Sequence, residues 1–446
     1  MSPKIQLSDH FTYGRLLRFT LPSIGMMIFT SIYGVVDGFF VSNFAGKTAF
    51  TAANLVWPVL MILATIGFMF GTGGSALVAK TLGERDRAKA DRWFSLLVYT
   101  AFGLGILFSL LGIWTIRPLA RLLGAEGQVL EDAVVYARII LLALPFNILQ
   151  FLFQSFFVTA EKPQLGLAVT VCAGVTNMVL DALLVIGLPQ PYKLAGAAIA
   201  TALSQTVGGG IPLLYFFRKN DSLLHLGRTR FEGKALWKAC TNGSSEFMSN
   251  VSMNVVGMLY NLQLLRYAGE DGVAAYGVMM YVSLIFAAVF IGYSIGTAPV
   301  VGFHFGAQNH PELRSLRQKS LWLTGLFGIL MILAAEVLAV PLSRLFVGYD
   351  EGLMDLTVSG FRIFGLSFLP MGYAIFCSGF FTALNDGLTS ALVSFLRTMV
   401  FQIAAVLILP ALWGIDGIWW SILVAETMAV VLSALFLIAK RRRYRY

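Results

Sequence analysis

The chain has 446 residues, 57% of them hydrophobic and only 12% charged, with a formal charge of +9 and a mean hydropathy of +0.77. Soluble globular chains carry roughly 25% charged residues, so this composition excludes a water-soluble fold and reads as an integral membrane protein. The net charge is not a nucleic-acid footprint, because the basic residues follow a membrane topology rather than clustering in one domain.

Runs of about 20 apolar residues are long enough to cross a bilayer as helices. Twelve such spans are expected, at about 19–42, 52–79, 93–116, 134–158, 164–188, 194–217, 239–265, 273–302, 320–341, 357–383, 388–411 and 415–439. The expected fold class is an all-α integral membrane protein with twelve transmembrane helices. With the N-terminus inside, 23 of the 32 Lys and Arg residues fall in inner segments, from Lys4, Arg15 and Arg18 to the run Lys440–Arg445. Six fall outside: Lys47, Arg117, Arg121, Lys193, Arg266 and Arg344. This bias predicts a multi-pass protein of the plasma membrane with both termini cytoplasmic. Cys172, Cys240 and Cys377 show no pairing pattern, and His10, His225, His304 and His310 lack metal-ligand spacing. "GTGGSA" (71–76) follows no strand and lacks the terminal Lys of a phosphate loop, so its glycines read as helix-packing residues.

The halves of the chain repeat. "GGSALVAKTLGERDRAKADR" (73–92) matches "GTAPVVGFHFGAQNHPELRS" (296–315), with Gly73 and Gly83 both 223 residues before Gly296 and Gly306. "SFFVTAEKP" from Ser155 matches "GFFTALNDG" from Gly379 at an offset of 224, and "GAAIATALSQ" from Gly196 matches "GIWWSILVAE" from Gly417 at 221. The expected organisation is an N-terminal six-helix lobe (1–217), a cytoplasmic linker (218–238) and a C-terminal six-helix lobe (239–446). Six is even, so both lobes enter the membrane in the same direction, related by a pseudo-two-fold axis along the membrane normal. Parallel repeats of this kind are a transporter architecture, with the substrate site between the halves.

A carboxylate at the centre of a bilayer costs on the order of 2.5–3.5 kcal/mol on insertion scales. Asp37 in span 1 and Asp181 in span 5 each lie about 18 residues from the inner side, counted along helices that rise ~1.5 Å per residue. They are expected at one level of the first lobe. Asn177 is one turn before Asp181, and Thr201 in span 6 reaches a similar depth. Two carboxylates in a low-dielectric site cannot both stay ionised without a cation. Such a pair either couples an ion, a proton or Na⁺, or serves the fold by capping backbone or sharing a hydrogen bond. In the second lobe Glu246, Arg397 and Glu426 are expected to meet near mid-depth, as a cavity-lining ion-pair network or a second coupling site. The repeat maps Asp37 to Tyr260, Asp181 to Ala405 and Glu426 to Gln205. Arg138, Arg362 and Glu336 lie near outer helix ends and read as interfacial.

"LPSIGMMIFTSIYGVVDGFFVS" (21–42), "GTGGSALVAKTLGERDRAKADR" (71–92) and "NMVLD" (177–181) resemble the multidrug and toxic compound extrusion (MATE) family, and in particular its small bacterial multidrug exporters. The resemblance covers essentially the whole chain. It implies two six-helix lobes around a central cavity and an alternating-access antiporter, not an enzyme, that expels cationic or amphiphilic drugs in exchange for H⁺ or Na⁺. Carried onto this sequence, the family's first-lobe cation site falls on Asp37, Asn177, Asp181 and Thr201, and Glu246 matches an acid common in helix 7. Some members carry an Asp in helix 10 where "GLSFLPMGYAIF" (365–376) has none, which favours H⁺ over Na⁺ here. Met27, Met61, Phe153, Gln154, Met280 and Tyr281 are the candidate lining of a Met- and aromatic-rich cavity for flat lipophilic cations. No organic cofactor and no nucleic acid is expected; the partners are small lipophilic cations and membrane lipid, and the chain is expected to act as a monomer. The alternative function is a flippase for lipid-linked precursors.

Overall fold

The computed structural model describes residues 5–348 and 350–446; Lys4, counted among the inner basic residues, lies outside them. All regular secondary structure among the described residues is helical, with no β-strand. The first lobe holds α1 (Tyr13–Phe40), α2 (Lys47–Gly83), α3 (Arg87–Leu122), α4 (Gly127–Thr159), α5 (Pro163–Gly187) and α6 (Lys193–Phe217). The second holds α7 (Gly233–Gly306), α8 (His310–Val347), α9 (Glu351–Gly365), α10 (Phe368–Ala383), α11 (Gly387–Phe395), α12 (Gln402–Trp413) and α13 (Ile415–Tyr444). α7 begins at Gly233, inside the range expected for the linker.

Twelve spans emerge from these thirteen helices by simple geometry. α7 runs for 74 residues, and at 1.5 Å per residue a straight helix of that length would be about 110 Å long. That is more than three bilayer cores of ~30 Å. The run is broken at Gly269, where φ 64° and ψ −151° suit only glycine, and its two arms are the expected spans 7 and 8. Sequence periodicity placed a loop there; the structure replaces it with one reversing residue. Spans 10 and 11 are also less regular than expected. α9 and α10 meet at a bend of 44°, and α11 passes into α12 through a widened π-helical turn over Leu396–Phe401. α1 ends in a similar turn, Val41–Ala45.

α4 is the scaffold of the first lobe. Of its apolar window 83% is buried, against half or less in each of the other spans of this lobe, and it packs on α2, α3 and α6. The outward faces of the other helices carry bare apolar side chains such as Trp114, Leu110, Leu183, Val337 and Ile438. Water would penalise this surface and lipid does not.

The repeat is visible in the backbone. Four non-glycine residues take a left-handed conformation at matching turns: Arg85 and Gln308, 223 apart, and Glu161 and Asn385, 224 apart. The lobes also touch reciprocally. A Cβ on Gly83 would meet the Phe303 carbonyl oxygen at 2.0 Å, and one on Gly306 would meet the Lys80 carbonyl oxygen at 2.0 Å. Lys80 and Phe303 are themselves 223 apart, so each lobe presents the other with the same surface, as a two-fold axis between them requires. Further along, Gly73 faces Ala239 and Gly243, and Gly296 faces Thr20. Asn242 Nδ2 donates to the Gly73 carbonyl at 3.3 Å and Asn385 Nδ2 to that of Ala76 at 3.2 Å.

These crossings all lie toward the end that bears the basic loops. Toward the opposite end the lobes part: Ala52, Val56 and Leu60 of α2 pack in a cluster with first-lobe residues, Val256, Tyr260 and Met279 of α7 in a separate cluster of second-lobe residues, and between Ile28 and Phe40 no residue of α1 is fully buried. The closed end depends on glycines that hold two backbones in van der Waals contact. Gly83→Leu, which cannot fit beside the Phe303 carbonyl, is expected to force this end apart. Spin labels on the two basic-end turns should then report a longer and broader distance distribution; an unchanged one would show that the crossing tolerates side chains.

Candidate ion-coupling site

The first-lobe carboxylates are held by three helices packed side by side. α1 packs on α5, and α5 on α6. Thr201 Oγ1 donates to Asp37 Oδ1 at 3.3 Å, and Asn177 Nδ2 donates to Thr201 Oγ1 at 3.5 Å. Asp181 lies within interaction range of Asp37, and neither of its oxygens makes a hydrogen bond of ordinary geometry to the described residues. It is wholly enclosed, whereas Asp37 is only half-buried. The Asn177 Oδ1 oxygen is likewise unpartnered. A buried carboxylate without donors is costly when charged, so this arrangement suits a proton or a hard cation between the two groups. The four residues expected together from sequence are brought together.

Three contributors were not foreseen. Tyr33 sits one turn before Asp37, and its hydroxyl accepts from Gln150 Nε2 at 3.2 Å. Tyr136 of α4 is fully buried within electrostatic reach of both Asp37 and Asp181. The i, i+4 spacing in "YGVVD" was a usable signal for Tyr33; nothing local marks Tyr136 or Gln150. Gly34 and Gly38 have open space where a Cβ would stand, and no neighbour packs closely against them.

The second lobe differs at every equivalent point. Tyr260, in the place of Asp37, is buried and stacks on Tyr276 with centroids 5.4 Å apart and planes 3° from parallel. Ala405 stands for Asp181 and offers only its carbonyl, to Ser421 Oγ. Arg397 Nε, half-buried, pairs with the buried Glu426 Oε2 at 2.7 Å, and Gln402 Nε2 reaches Glu426 Oε1 at 3.5 Å. Arg397 rides on the π-helical turn that interrupts the span. Glu246 does not join the pair. It is half-buried, within electrostatic reach of Arg397 but in no ion pair among the described residues. Arg362 and Glu336 pair on the exposed surface at 2.9 Å, and Arg138 Nε donates to the Ile113 carbonyl.

The candidate cavity residues scatter. Met61 and Met280 are half-buried, and Tyr281 is largely exposed and stacked on Phe346. Met27 packs in an apolar cluster shared by α1, α7, α8 and α10. Phe153 is enclosed in an aromatic stack with Phe216, at 5.5 Å, and Phe94. Gln154 is buried with both side-chain polar atoms unpartnered, beside a cavity with room for about one water. Among the described residues no group of three or more His, Cys, Asp or Glu is placed to hold a metal ion.

Two parallel six-helix lobes, joined at one end and open at the other beside buried carboxylates, define a two-lobed membrane transporter. The model of the MatE family matches residues 22–183 and again 247–408, once in each lobe and 225 residues apart at both ends. The chain belongs to the MatE family. It is 25% identical over 429 residues to the multidrug export protein MepA of Staphylococcus saprophyticus, which covers 96% of this chain and 94% of that protein. Against MepA of Staphylococcus aureus the identity is 23% with the same coverage. A solved MATE structure in the straight conformation superposes with a TM-score of 0.92 at 21% identity, covering 100% of this chain and 99% of that one. The outward-facing conformation of a multidrug resistance MATE family transporter superposes at 0.93, also at 21% identity, with 100% and 99% covered.

Proposed function

We propose that this protein is a secondary active multidrug exporter of the plasma membrane that exchanges lipophilic cations for protons by alternating access. The observation that carries the reading is the Asp37–Asp181 pair: one carboxyl half-exposed toward the open end, the other enclosed behind it without donors. A proton, or the charge of a cationic drug, relieves that pair. Either occupant therefore excludes the other, which is the requirement for antiport.

The proposed orientation puts both termini and the 218–238 linker in the cytoplasm, as the distribution of basic residues requires. The lobes, taken as 1–217 and 239–446, then close on the cytoplasmic side and open outward, the state in which drug is released and protons enter. The S. saprophyticus and S. aureus relatives are multidrug export proteins, which supports drug-like substrates. So does the charge at depth: Glu246 is in no ion pair among the described residues, while Arg397 is neutralised by Glu426. A site for the pyrophosphate of a lipid-linked precursor would need the opposite balance. The coupling ion is taken as H⁺ because the second lobe offers an aromatic stack and a neutralised Glu426 where a further carboxylate site would stand.

Uptake of a fluorescent lipophilic cation into everted vesicles under an imposed gradient tests this. A pH gradient, acid outside the cell, should drive transport of the dye by the single chain. Transport driven by Na⁺ alone would replace the ion, and movement of a labelled polyprenyl lipid but of no dye would replace the function.

A further inference from the structure

The linker between the lobes is not a loose tether. Residues 225–232 are laid across the basic end of α3 by five hydrogen bonds. The His225 N–H donates to Asp91 Oδ1 at 3.0 Å, the Gly227 N–H to Ser95 Oγ at 3.0 Å, and Tyr99 Oη to the Gly227 carbonyl at 3.0 Å. Thr229 Oγ1 donates to the Arg92 carbonyl at 2.8 Å and Trp93 Nε1 to Glu232 Oε2 at 2.7 Å. Against this strap lies a shallow cleft of about 550 Å³, largely open on its outer side and lined by Tyr99, Phe217, Gly227, Arg228 and Thr229.

The cleft has two chemically distinct sides. On one, α3 and α6 flank α4 and turn apolar side chains outward: Tyr99, Leu107 and Leu110 from α3, Leu203, Leu214 and Phe217 from α6. Tyr99 and Phe217 line the cleft itself, and the exposed leucines carry apolar surface from it along the same two helices. On the other, Arg228 lines the cleft, with exposed Arg92 and Arg230 beside it. None of the three is in an ion pair among the described residues; of the nearby acids, Asp91 accepts the His225 N–H and Glu232 the indole N–H of Trp93. The N–H groups of Arg228, Thr229 and Arg230 likewise find no acceptor among the described residues. Phe231, 83% exposed, adds an apolar anchor next to these charges.

Unpaired guanidinium groups and free backbone donors beside an apolar track match an amphiphile with an anionic oxygen-rich head. We propose that this cleft is a binding site for an anionic phospholipid of the inner leaflet, with the headgroup phosphate on Arg228 and its neighbours and an acyl chain along the α3–α6 track. The leaflet follows from the orientation proposed above; the site itself does not depend on the transported substrate. Pinning on both sides of Arg228 fixes the cationic edge in place before lipid arrives, which lowers the ordering cost of binding. Because the strap continues directly into α7, an occupied site would hold the inter-lobe connection against the first lobe.

The test uses the full chain in nanodiscs. Phosphatidylglycerol in place of phosphatidylcholine should raise the melting temperature by about 3 °C or more, and native mass spectrometry should retain a bound phosphatidylglycerol. Arg228→Gln with Arg230→Gln, both surface changes, should remove the retained lipid and most of the shift. Arg441→Gln with Arg442→Gln, which removes equal charge from the second lobe, should leave both. Equal loss in the two double variants would reduce the effect to general surface attraction and overturn the site. So would an equal shift from soluble glycerophosphate, which has no acyl chain for the track.

Discussion

Asp37→Asn and Asp181→Asn are each expected to abolish proton-driven dye efflux, by ten-fold or more, while leaving the protein folded. An amide of the same shape cannot take up a proton on one side of the membrane and release it on the other. The hydrogen bond from Thr201 to residue 37 survives the change, since the Asn carbonyl oxygen accepts as the carboxylate does. At position 181 the substitution removes a fully buried carboxyl that has no donor, so the variant should melt at the wild-type temperature or above it. Loss of coupling without loss of stability is the signature of an ion-coupling pair. A purely structural pair gives another result: gradient-driven efflux persists and the melting temperature falls.

Breaking the second lobe's ion pair should have the largest effect on stability. Arg397→Met leaves Glu426, 1% exposed, as an uncompensated charge within the span. Removing one partner of a buried pair costs about 3–5 kcal/mol, and Gln402 at 3.5 Å is too weak a donor to make up the difference. The repeat itself suggests the rescue. At the equivalent places the first lobe has Ala173 and Gln205, both buried and both neutral. Arg397→Ala combined with Glu426→Gln transplants that pair and should recover most of the lost stability in a detergent melt. An unchanged melting temperature in Arg397→Met alone would count against a stabilising role for this pair. Efflux by the rescued double variant would then tell whether this lobe only supports the fold or also shapes the cavity.

The first-lobe site was legible because it rests on one-dimensional facts. Helical rise is constant, so counting from the basic ends puts Asp37 and Asp181 at one depth, and i, i+4 spacing puts Asn177 on the face of Asp181. In the second lobe the same counting puts Glu246, Arg397 and Glu426 at one depth but leaves open whether Arg397 balances one carboxylate or both. Arg397 sits on the π-helical turn at Leu396–Phe401 and pairs with Glu426, with Glu246 within its electrostatic reach. Phe153 shows a related limit. An aromatic residue at the right depth in α4 reads as cavity lining until the neighbouring rings of Phe94 and Phe216 enclose it.

Membrane residence, the number of spans, the two-fold repeat and the depth of each charge were determined by the sequence alone, because hydrophobicity, spacing and helical rise are local and additive along the chain. Rotation of each helix about its own axis was decided only by the tertiary structure, and with it the recruitment of Tyr33, Tyr136 and Gln150 to the carboxylates. So were the reversal of α7 at the single residue Gly269, the closure of the lobes through Gly83 and Gly306, and the pinning of the linker across α3. Each of these depends on which surfaces pack together, and packing is a property of pairs of helices that no single segment encodes.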